Sequence, residues 1–216
     1  MTRTRPRLAF VSPLFLFPND AGGKIRTTNI LRGLKGGAFE VRLLSPATAE
    51  QCEQWGVEIN GVCDEFVNWT PAAPKSRVLR VLDLMHELPI NVVADISPPA
   101  AQAVQAQVAR ADIDLIVFDF VHASVLRPPD LPVRSVCFTH NVEAEIFGRH
   151  ASNAKDPARR WVWKSQHAKM QRFEGRALRQ YDKVIAVSER DARHFGSAYG
   201  VQDAEAIPTG VDLDFF

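Results

Sequence analysis

The chain has 216 residues, 46% hydrophobic and 24% charged, with a formal net charge of +1. That suits one large globular domain, or a domain with an appendage, and gives no electrostatic case for nucleic acid as a partner. The three cysteines, Cys52, Cys63 and Cys137, are widely spaced with no C-x-x-C, so neither a zinc site nor a disulfide framework is expected and a reducing cytoplasm fits best.

Arg3, Arg5 and Arg7 precede an apolar run, but Pro13 and Pro18 interrupt it and no A-x-A follows, which favours a strand over a leader. No stretch approaches the length of a membrane span. Residues 7–12 read as a buried strand, 13–21 as an irregular loop, and Gly22-Gly23-Lys24-Ile25-Arg26 as the start of a helix. Strand, loop and glycine-rich helix N-terminus form a cradle for an anion, because free N–H groups and the helix dipole both point outward there. Lys24 and Arg26 sit where the dipole disfavours cations, which suggests that they answer an anion. The blander alternative is a glycine pair that only turns the chain, with Asp20 as a cap. A dinucleotide fold would place G-x-G-x-x-G directly after the strand; here the loop is longer and the glycines form a plain pair.

The helix continues to Leu34, stopped by Gly36-Gly37, and 39–44 reads as a second strand. A helix over 47–55 follows, with short strand candidates at Val57-Glu58-Ile59 and Glu65-Phe66-Val67. The spacing predicts helices over 78–86 and 100–111, the latter approached through Ser97-Pro98-Pro99. Residues 114–118 and 133–138 are apolar enough for buried parallel strands; Asp119 and His122 follow the first, and His140, Asn141 and Glu143 follow the second.

The longest helical pattern covers 158–181, with Trp163, Met170, Phe173, Ala177 and Tyr181 inward and Arg159, Arg160, Lys164, Lys169, Arg172, Arg176 and Arg179 elsewhere. A solvated basic face over an aromatic stripe is the plain reading; docking to anionic lipid or a phosphorylated acceptor is the sharper one, with Trp161 nearby. A last strand at 184–187 leads to Ser188 as the cap of a helix over 189–195. Strands alternating with helices argue for an α/β, Rossmann-like sandwich with a mainly parallel central sheet and helices on both faces. Ligands in such sheets bind beyond the C-terminal strand ends, where 18–26, Asp119 to His122, His140 to Glu143, and Ser188 all fall.

With these segments assembled, the chain resembles the N-terminal half of a retaining glycosyltransferase of the GT-B fold, family 4 (glycosyl transferases group 1). The resemblance rests on 18–34, on Phe138 to Glu143, and on Phe173-Glu174 through 182–189 to Ile207-Pro208-Thr209-Gly210-Val211-Asp212, in the family's order. It implies a nucleotide-sugar donor, a glycan or lipid-linked acceptor, and no cofactor or metal. It implies Gly22 and Gly23 at the donor diphosphate, His140 as catalytic at the transferring sugar, and Asp119, His122, Asn141 and Glu143 on the acceptor side; by their own chemistry Lys24 and Arg26 suit the leaving phosphates and Asp119 suits a catalytic base or a group that orients the acceptor. It divides the chain into an acceptor-side domain, 1–207, and the start of an interdomain linker, 208–216. The family's donor-binding half, with two glutamates eight positions apart, does not occur in these residues, so the chain alone is expected to be inactive. The Gly-Gly-Lys-Ile-Arg form points more narrowly to bacterial polysaccharide or glycolipid synthesis in the cytoplasm, peripheral at the inner membrane face. A non-catalytic α/β ligand-binding module and a sugar-nucleotide epimerase of the same fold are the alternatives.

Overall fold

The computed structural model describes residues 5–73, 76 and 81–208. Seven parallel strands form one sheet in the order β3-β2-β1-β4-β5-β6-β7. They are β1 (Arg7–Val11), β2 (Glu40–Pro46), β3 (Glu65–Trp69), β4 (Leu115–Asp119), β5 (Arg134–Phe138), β6 (Lys183–Ala186) and β7 (Ala204–Ala206). The helices are α1 (Gly22–Leu34), α2 (Ala49–Gln54), α3 (Gly56–Val62), α4 (Ile90–Asp95), α5 (Pro98–Ala109), α6 (Glu143–Asn153), α7 (Pro157–Leu178) and α8 (Glu189–Tyr199), with a 3-10 helix at Val121–Leu126.

The strands are apolar on both faces because both faces are covered. Successive residues of a strand point to opposite sides. Leu8 and Phe10 of β1 join Leu31 of α1 and Ile59 and Val62 of α3 in one core. Ala9 and Val11 face the other, with Val104 of α5, Met170 of α7 and Phe195 of α8. This is the sandwich that the alternation of patterns predicts.

Several boundaries follow capping chemistry. Thr48 and Gln51 form a capping box, so α2 begins two residues later than the apolar pattern suggests. Ser97, Asp156 and Ser188 each accept a backbone N–H at the starts of α5, α7 and α8. Gly200, at φ +69°, ends α8 in the left-handed conformation that glycine adopts without strain.

Val57-Glu58-Ile59 is not a strand. It lies inside α3, whose Ile59 and Val62, with the C-cap Cys63, recur at helical spacing and enter the α1-side core. The expected helix over 78–86 lies partly outside the described residues; 81–83 are helical. Of the expected linker, 209–216 lie outside them as well. Asp20 does not cap α1: the N-cap is Ala21, with no side-chain hydrogen bond.

Candidate functional site

Parallel pairing puts the C-terminal ends of β1, β4, β5 and β6 on one edge, and each end feeds a loop into the same cleft. The cleft holds about 420 Å³ and is lined by Gly22, Gly23, Lys24 and Arg26 of α1 with Phe120, His140, Asn141 and Val187. The glycine pair and the histidine therefore share one rim.

Gly22 and Gly23 are the first residues of α1, which has no acidic residue in its first turn and no side-chain cap. Their N–H groups have no acceptor among the described residues, as expected at an uncapped helix start. Around Gly22 the space is open: a Cβ there would meet nothing within 4 Å. Gly23 is pressed against the opposite wall, where an added Cβ would stand 2.9 Å from Phe120 Cζ and 3.9 Å from His140 Nδ1.

Lys24 donates to Asp20 at 2.9 Å and to the Pro18 carbonyl at 3.3 Å. Arg26 donates to the Ile207 carbonyl at 3.1 Å and lies 4.5 Å from the Phe138 ring centroid. Burial depresses the Arg26 guanidinium, against the raising effect of Asp119. Both line the cleft, each with a partner in the protein.

His140 sits behind this helix start. Its ring stacks on Phe120 at 3.9 Å between centroids, and its Nε2 lies 2.7 Å from Asp119 Oδ1. The other carboxylate oxygen accepts from Thr27 Oγ1 of α1 at 2.9 Å. A carboxylate only accepts, so the pairing assigns the imidazole proton to Nε2 and leaves Nδ1 on the Gly23 side. Asp119 is fully buried and does not line the cleft. It stands one layer behind His140 and holds that ring through the Nε2 contact.

The acceptor-side residues separate. Asn141 lines the cleft; it does not cap α6, whose N-cap is Val142. Glu143 is buried, which raises its carboxyl against the pull of His122 and His140. His122 is paired with Asp95 of α4 and stacks on Phe120 at 5.0 Å. Burial works to lower its imidazole, but the Asp95 hydrogen bond and charge raise it overall. Asp95 also lines a neighbouring cavity of about 350 Å³ with Phe15, Trp69 and Leu126, and Leu14 is common to both cavities.

Three participants carry no sequence signal: Thr27, Asp95 and Phe120. Phe120 has φ +67° and ψ 144°, a conformation that costs a non-glycine residue of order 1–3 kcal/mol. Its N–H donates to the Phe138 carbonyl at 2.8 Å, which holds the backbone in place while the ring stacks against both imidazoles.

The family model described as Glycosyltransferase Family 4 matches residues 21–215. This chain belongs to that family. No curated protein matches it. Among solved structures, the family 4 chain is similar to sucrose-phosphate synthase from Thermosynechococcus elongatus, with TM-score 0.63 and 12% identity, over 98% of this chain and 50% of that one. It is also similar to Phytolacca americana UGT2 complexed with UDP-2-fluoro-glucose and pterostilbene, with TM-score 0.57 and 12% identity, over 98% of this chain and 56% of that one. The chain thus spans about half the length of these structures, and its architecture is one Rossmann-like half of a GT-B fold. Among its described residues no group of three or more His, Cys, Asp or Glu side chains could hold a metal, and no helix is long and apolar enough to cross a membrane.

Proposed function

We propose that this family 4 domain is the acceptor-side half of a glycosyltransferase that moves a sugar from a nucleotide-sugar to a glycan or lipid-linked acceptor with retention. The observation that carries the reading is the shared cleft: Gly22 and Gly23, whose N–H groups have no acceptor among the described residues, line the same space as His140. Retaining transfer passes through an oxocarbenium-like state as a diphosphate leaves. Fixed amides stabilise that leaving charge without reorganising. His140 takes a hydroxyl of the transferring sugar, and Asp119 keeps its ring turned to do so. The acceptor lies in the neighbouring cavity beside Asp95 and His122, with Asn141 on the cleft side. A partner domain supplies the rest of the donor site, and the Gly-Gly-Lys-Ile-Arg form favours bacterial polysaccharide or glycolipid synthesis. UGT2, which shares the fold, is complexed with UDP-2-fluoro-glucose and pterostilbene together, which supports one donor and one acceptor space.

The test joins the chain to a donor-side domain and measures nucleotide release from UDP- and GDP-sugars. His140→Ala is expected to lower turnover on the order of a hundredfold. No turnover with any donor, or an unaffected His140→Ala protein, overturns the proposal. Product with the sugar inverted but not transferred marks an epimerase.

A further inference from the structure

Helix α7 carries more charge than its packing needs. Of its ionisable residues, Arg159, Arg160, Lys164, Lys169, Arg172 and Arg176 are basic, and the single acid, Glu174, is buried. At 100° per residue, the exposed Trp161, Lys164, Arg172 and Arg176 fall on one side of the helix over about 22 Å, interrupted at Gly175, which packs under Tyr199 of α8. Trp161 stands 72% exposed at one end of it. Arg172 and Arg176 have no ion-pair partner among the described residues.

An apolar segment lies beside this stripe. Lys169 Nζ donates to the Leu84 and His86 carbonyls at 2.7 and 2.6 Å, and Gln166 Oε1 accepts from the Ile90 N–H at 2.9 Å. These bonds pin 84–90 across α7, with Met85 83%, Val81 61% and Leu82 55% exposed. On one side of the crossing is an apolar groove containing Leu84, Ile90, Val162 and Trp163. On the other is a groove of about 1090 Å³ containing Met85, Arg172 and Arg176, with Glu87 as its only acidic lining residue.

Exposed apolar side chains bordered by unpaired cations and an outward tryptophan match the composition of a bilayer interface: hydrocarbon contact, headgroup-level aromatic, anionic lipid. We propose that the outward stripe of α7 and the 81–88 segment dock together on an anionic bilayer surface. The placement suits the cleft. Asp182 accepts from Ser135 at the start of β5, so α7 ends at the N-terminal edge of the sheet. Glu174 meets the Glu143 N–H at the opposite edge, so the part of α7 before it extends past the cleft side. Docking uses none of the cleft residues, so it succeeds or fails independently of sugar transfer.

The test is co-sedimentation of the 216-residue chain with vesicles of phosphatidylcholine alone or mixed with phosphatidylglycerol. The chain is expected to pellet with the anionic vesicles only, less so as salt rises. Arg172→Glu with Arg176→Glu is expected to weaken binding at least about tenfold. Trp161→Ser with Met85→Ser weakens it several-fold at unchanged net charge, and circular dichroism shows that each variant folds. The proposal is overturned by no pelleting with phosphatidylglycerol, by equal pelleting with both compositions, or by binding that either double variant leaves unchanged. Self-association dissolved by Met85→Ser also overturns it, because the apolar patch then belongs to a second copy of the chain.

Discussion

The Phe120 ring lies against Gly23 and stacks on two imidazoles, those of His122 and His140. Gly23→Ala therefore drives a methyl group into that ring, and the only relief is to move Phe120 off His140. We expect a loss of about 1–3 kcal/mol in urea unfolding and a displaced His140 resonance in NMR. Gly22→Ala is the contrast, because its added methyl group enters open space. Its stability stays within about 1 kcal/mol of the parent while affinity for a nucleoside diphosphate falls, measured by calorimetry. Equal destabilisation by the two substitutions would contradict this assignment of the glycines. The glycine pair and His140 were legible because each sits at a strand or helix end, and such ends share an edge in a parallel sheet. The strain at Phe120 was not, since nothing in the order Asp119-Phe120-Val121 announces a positive φ. Nor could spacing show that Asp119 and Thr27, far apart in the chain, would meet and bury each other.

Helix α6 starts without a local cap. A remote one replaces it: Glu174 of α7 accepts from the N–H groups of Glu143 and Ala144 at 2.7 and 3.2 Å and from Tyr199 Oη at 2.8 Å. Burial raises the Glu174 carboxyl from 4.5 to about 7, against the pull of Tyr199 and those two N–H groups. A raised acid binds more protons folded than unfolded, so stability falls as pH rises between these values. The drop is roughly 3 kcal/mol at most. Glu174→Gln cannot ionise, so its unfolding free energy, followed from pH 4.5 to 7, loses this slope while the parent keeps it. Identical pH slopes would remove Glu174 from the account. Phe173-Glu174 stood out in the sequence as part of a family pattern, but its task depends on where α7 crosses α6. The helix α3 was misread for a related reason: Val57-Glu58-Ile59 alternates like a strand, and only the α1 surface beneath it selects helical spacing.

At the scale of the whole sheet, the two edges have opposite characters. One opens into the cleft; the other is closed by ion pairs around Arg42, whose side chain is fully buried. Arg42 donates to Glu65 at 2.7 Å and to Asp112 at 3.0 Å, and the Arg42 hydrogen bond is the main reason that Asp112 is held down at about 2. Arg42→Ala leaves a void and two carboxylates short of a donor, with an expected cost of about 2–4 kcal/mol in urea unfolding. A change below about 0.5 kcal/mol would show that the cluster contributes little. Alternating strand and helix patterns announced a parallel sheet, and the apolar strands gave themselves away. The edge strand β7, Ala-Glu-Ala, did not, because so short and polar a segment becomes a strand only by pairing with β6. One consequence of the Asp119 carboxylate reaches beyond the cleft. It knots the first helix to the loop after the fifth strand, so the pocket exists only once both lengths of chain have been threaded into place. No fragment presents half of it, and the recovery of ligand retention during refolding should mark completion of the domain rather than any earlier step.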